Sequence, residues 1–170
     1  MRKFFIAFSI IFLAGCSAKY NSTAIQKNEE LLIKNKEIVI AVPANGIYST
    51  QEYAGSGSST ANVIKAAFLR YSDNVKTISE CSNMNCLVSK SPVSDGYYIV
   101  PQILHWEDRA TEWSGIPDKM EVKITIYKAD NQKLLSSVIL SGKSKFATFG
   151  GDHPQDLLPA PVSEYVASLY

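Results

Sequence analysis

The chain has few of the residues that metal and thiol enzymes depend on. It holds two histidines and three cysteines, whereas a zinc site takes three or four ligands, so no metal site is expected. No Gly-x-Ser-x-Gly elbow marks an esterase-type nucleophile. The Gly/Ser stretch 55–59 has no lysine with which to form a P-loop, so no nucleotide or other cofactor is expected. No apolar run reaches the ~20 residues of a membrane-spanning helix. Charge of one sign is also scarce: 17 Lys and Arg face 16 Asp and Glu, without blocks. That balance argues against nucleic acid, which calls for a basic stripe, and no polybasic segment favours an anionic membrane.

What is present begins at the N-terminus. Arg2 and Lys3 precede an apolar run from Phe4 to Ala14, broken only by Ser9. A charged start, a short apolar stretch and small residues form the layout of a secretory signal. Leu13, Ala14, Gly15 and Cys16 close it in the manner of a bacterial lipobox, in which the Cys16 thiol is acylated and the chain is cut just before it. Residues 1–15 are therefore expected to be a lipoprotein signal peptide. Their removal leaves 15 basic against 16 acidic side chains, a charge of −1 with histidine neutral. Several acyl chains exceed the two-signal threshold for stable anchoring. Ser17, where an Asp would favour inner-membrane retention, points to the outer membrane and its periplasmic face. In that oxidising space Cys81 and Cys86 are the two thiols left, and a disulfide between them is expected.

Residues 16–36 follow as the lipidated Cys and a polar tether, with Ile25, Leu31, Leu32 and Ile33 able to form a docked helical turn. Residues 37–170 read as a single domain. The run 37–42 is apolar from Ile38 onward and stops at Pro43, which predicts a strand covered on both faces. A helix is expected over 60–71, where Val63, Ile64, Ala67, Phe68 and Tyr71 share a stripe and Ser58 or Ser59 caps the start. Residues 75–78 form a second short strand. Runs at 97–106, 120–127 and 134–141 are β; Met120, Val122, Ile124 and Ile126 alternate with polar residues, the mark of a sheet with one wet face. Pro161, Val162, Tyr165, Val166 and Leu169 outline a last helix. The expected fold class is α+β: one domain, a mixed sheet with a three-stranded antiparallel half, and helices packed on one face.

The most unusual segment is 106–117. It holds the only two tryptophans, Trp106 and Trp113, beside Glu107, Asp108, Arg109 and Glu112. Aromatic rings with charged neighbours suit a sugar or a partner protein, and these six residues are the candidate recognition set. Trp106, nearer the strand, is expected to pack, and Trp113 to make contacts. Glu107 and Glu112 also invite comparison with the paired carboxylates of a glycosidase, although their spacing does not set their separation. His153, close in sequence to Asp152 and Asp156, reads as part of a turn into the last helix.

From Glu37 onward, His105-Trp106-Glu107-Asp108, Trp113-Ser114-Gly115-Ile116-Pro117, Gly142-Lys143-Ser144-Lys145, Thr148-Phe149-Gly150-Gly151 and His153 to Leu158 resemble a bacterial lipoprotein family. It is catalogued as domain-of-unknown-function family 4823. The resemblance implies an anchored periplasmic α+β domain and supplies no catalytic residues. The resulting expectation is a non-enzymatic lipoprotein held to the lipid membrane through acylated Cys16, with an envelope protein or glycan as partner. An envelope glycan hydrolase using Glu107 and Glu112 is the alternative.

Overall fold

The computed structural model describes residues 18–27, 29–109, 115–145 and 153–170. The predicted signal peptide, Cys16, Glu112, Trp113 and Asp152 lie outside the described residues. The elements are β1 (Lys19–Gln26), β2 (Glu37–Ala41), β3 (Ile47–Tyr48), β4 (Gln51–Glu52), α1 (Ser56–Phe68), β5 (Val75–Ile78), α2 (Met84–Lys90), β6 (Gly96–Glu107), β7 (Lys119–Lys128), β8 (Leu134–Lys143) and α3 (Pro159–Ala167). Six strands form one mixed sheet in the order β1-β8-β7-β6-β2-β5, and β3 and β4 make a small separate ribbon. β2 is parallel to both β5 and β6, while β6, β7, β8 and β1 run antiparallel in succession.

The antiparallel half therefore has four strands, and the fourth comes from the segment expected to be a tether. Lys19–Gln26 is β1, paired with β8. Its side chains are exposed throughout, which removes the apolar signal that marks a buried strand; backbone ladder bonds hold it. No helical turn forms at 31–33. Leu32 is buried there and donates its amide to the Leu169 carbonyl at 2.7 Å.

Alternation along the strands sorts the sheet into two faces. On one, Ile38, Ile40, Ile99, Met120, Val122, Ile124, Ile126 and Leu140 meet Ile64 and Phe68 of α1 and Val162 and Val166 of α3. On the other, Val39, Ala41 and Tyr98 meet Leu87 of α2. The two longer helices thus share one face, and the short α2 covers part of the second. This is the physical reason that β2 is apolar at every position after Glu37. The Cys81–Cys86 disulfide, with Cα atoms 5.3 Å apart, ties the start of α2 to the turn after β5. α1 begins four residues before the predicted start. Its cap is Gly55, in the left-handed region at φ 84°, with no side-chain cap from a serine. Asn45 accepts from the Gly57 amide instead, at 3.2 Å.

Candidate functional site

The far end of β6 carries the segment singled out in the sequence, and an irregularity there decides what each residue does. Pairing with β7 shifts between Ile103 and His105, leaving Leu104 as an extra residue, 47 % exposed. A bulge reverses the alternation beyond it. Tyr97, Ile99 and Ile103 point to the main core, and after the bulge Trp106 does so too, while His105 and Glu107 face the other side. Trp106 is 2 % exposed, packed among apolar side chains. Gly46 lies so close that a Cβ there would stand 2.4 Å from the Trp106 Cβ.

Glu107 is buried as well, and it sits in a cage of cations. Arg109 Nε donates to its Oε1 at 2.7 Å and the second guanidinium nitrogen lies 2.6 Å from the same oxygen. Lys119 Nζ reaches Oε2 at 3.2 Å and His105 Nε2 lies 3.0 Å from it. Burial by itself would raise the Glu107 pKa; the hydrogen bonds from His105, Arg109 and Lys119, with the Lys119 charge, bring it down to about 2. Tyr48 completes the cage: its hydroxyl accepts from Arg109 at 2.9 Å, its ring lies under the guanidinium, and it meets His105 edge-on. A carboxylate held this way is an ionised anchor, with both oxygens engaged.

A second cluster adjoins it. Asp118, 2 % exposed, accepts from the Arg109 amide, and its own amide donates to Ser144 Oγ at 2.8 Å. Asp108 Oδ1 lies 3.0 Å from His153 Nδ1. The Asp108 hydrogen bond raises the His153 pKa, against a smaller opposing effect of burial. Ligand atoms of Asp108, Asp118 and His153 come within 4.8 Å of one another, a spacing that a cation could use. The Asp108–His153 pair has the orientation of an acid–base dyad, yet among the described residues no hydroxyl or thiol bonds the other ring nitrogen. An open cleft of about 390 Å³ lies beside these residues, lined in part by Tyr53, Ser56, Ser59, Trp106, Asp108 and Gln155.

Of the six candidate recognition residues, the structure brings Glu107, Asp108 and Arg109 together and puts Trp106 into the core; Glu112 and Trp113 lie outside the described residues. Sequence reading missed Tyr48, Asp118, Lys119 and the pairing of His153 with Asp108. One signal was available for Lys119: it stands opposite Glu107 where the β6–β7 hairpin opens.

A family model described as a domain of unknown function, DUF4823, matches residues 30–169. No curated protein matches the chain in sequence. Among solved structures, a singly substituted form of the PelC dodecamer from Paraburkholderia phytofirmans is similar with a TM-score of 0.62, at 11 % identity, over 89 % of this chain and 96 % of that one. The PelC dodecamer without that substitution gives 0.59, at 12 % identity, over 89 % and 94 %. Protein XCC0632 from Xanthomonas campestris, a DUF330 protein, gives 0.50 at 12 % identity, over 85 % and 90 %. At such identities the likeness is one of fold.

Proposed function

The chain belongs to the DUF4823 family of unknown function, and from that premise we propose that it is an outer-membrane lipoprotein facing the periplasm, a non-enzymatic module for binding or assembly support. The observation that carries this reading is the caged Glu107. A glycosidase acid must stay protonated near neutral pH, whereas Glu107 is held ionised with a pKa of about 2 and with both oxygens bonded. Held so, Glu107 is unsuited to the general-acid role in the hydrolase alternative. The lipobox ending at Cys16 supports the anchor, and among the described residues no helix is long and apolar enough to cross a membrane. The PelC neighbours are dodecamers, which supports assembly as a use of this scaffold.

With Trp106 and Glu107 buried, recognition falls to Asp108, Arg109, Glu112 and Trp113. The test is crosslinking and pull-down of the intact lipoprotein from its own envelope, compared with Trp113→Ala. The variant is expected to melt within a few degrees of wild type and to lose the crosslinked partner. If it keeps every partner, the recognition surface lies elsewhere. If the purified lipoprotein releases soluble fragments from envelope glycan and Glu107→Gln does not, the hydrolase reading replaces this one.

A further inference from the structure

Lysines far apart in the sequence meet on one face of the sheet. Lys19 of β1 stands opposite Lys143 of β8, Lys143 opposite Lys119 of β7, and Lys119 opposite Glu107 of β6. Directly opposed residues of an antiparallel ladder share a face. This face is the one that α1 and α3 leave uncovered, since Met120 and Trp106, next along the chain, point into their core. On the same face of β7 stand Glu121 and Lys123, two and four residues on. With Arg109, this corner carries five cations against Glu107, Glu121 and the adjoining Asp108 and Asp118, on a mature chain whose charge is −1. Lys119 and Arg109 both pair with Glu107. Among the described residues, no carboxylate forms an ion pair with Lys19 or Lys143. Opposed like charges destabilise a sheet, so the row favours an anionic partner.

The covalent chain says which partner is at hand. Cys16 precedes Lys19 by three residues, and at roughly 3.3–3.6 Å per extended residue their Cα atoms lie within about 11 Å. Lys19 itself is fixed in the ladder with β8, so no long tether separates the sheet from an acylated Cys16. That distance is comparable to the Debye length of about 8–10 Å at physiological salt. We propose that the Lys19–Lys143 row docks the domain on anionic phospholipid headgroups beside its own lipid anchor. The uncovered sheet face then lies toward the membrane and the α1 and α3 layer faces away. This rests on the anchor reading above. Absence of a polybasic run in the sequence does not oppose it, because the cations are gathered by strand pairing.

The test uses the mature lipidated protein in vesicles of pure phosphatidylcholine and in vesicles of phosphatidylcholine mixed with phosphatidylglycerol. Amine acylation is followed by mass spectrometry at Lys19 and Lys143, with Lys65 of α1 as reference. A lysine near an anionic surface favours the docked state about five-fold. Lys19 and Lys143 should therefore be labelled about five-fold more slowly on the anionic vesicles, with Lys65 unchanged. Added salt should remove the difference, and Lys143→Gln should reduce the protection of Lys19. Sedimentation with both kinds of vesicle but equal labelling would overturn the docking and leave the anchor standing. Failure to sediment with either would remove the anchor, and the docking with it.

Discussion

Glu107 shows how one residue's surroundings set its chemistry. Its pKa is brought from 4.5 to about 2 by the partners that cage it, so the folded state binds its proton less readily than the unfolded chain. The stabilisation this gives is complete above the unfolded value and fades as pH falls toward 2. A shift of that size corresponds to about 3 kcal/mol. Thermal melts of wild type and Glu107→Gln should differ most at pH 6–7 and converge as the pH falls from about 5 to 2; a difference independent of pH would mean that the cage does not hold the charge. Trp106 makes a different prediction. It is fully packed, so Trp106→Ala should cost roughly 3–5 kcal/mol in a denaturant titration. A loss under ~1 kcal/mol would contradict its place in the core. The apolar positions of β7 were readable from alternation alone. The orientation of Glu107 was not, because strict alternation from Tyr97 places 107 on the core face, and the bulge at Leu104 reverses it. Nothing in the composition of 103–105 announces that extra residue.

Among the elements, β2, β5 to β8 and the two longer helices follow from periodicity, and they suffice for the α+β class. β1 does not. A strand whose residues are all exposed leaves no hydrophobic pattern, and its existence depends on the free edge of β8, which is more than a hundred residues away in sequence. The tie at the start of α2 was legible for another reason: two cysteines five positions apart in an oxidising space imply a closed turn, and the disulfide forms with Cys81 buried. Closing so short a loop is worth about 2 kcal/mol in the chain-entropy account. Reducing agent should lower the urea midpoint of wild type accordingly, and should leave a Cys81→Ser/Cys86→Ser variant unmoved. A wild-type midpoint insensitive to reduction would show that α2 is held by Leu87 and its neighbours alone.

For the whole molecule, the fold joins the N-terminal segment to the domain far more closely than the sequence suggests. Polar residues after Cys16 read as a spacer, yet they complete the sheet, and with them the lysines of β1, β7 and β8 come to one corner. The charge pattern is thus a tertiary property, invisible to a scan for basic runs. The function proposed here depends on Cys16 being the place where the chain is held to the membrane. The most direct measurement is the intact mass of the protein extracted from its own envelope, with fragmentation of its N-terminus. The expected result is a chain beginning at Cys16 and carrying a diacylglyceryl thioether and an amide-linked acyl group. An unmodified Cys16, or a chain cut at any other residue, would contradict it.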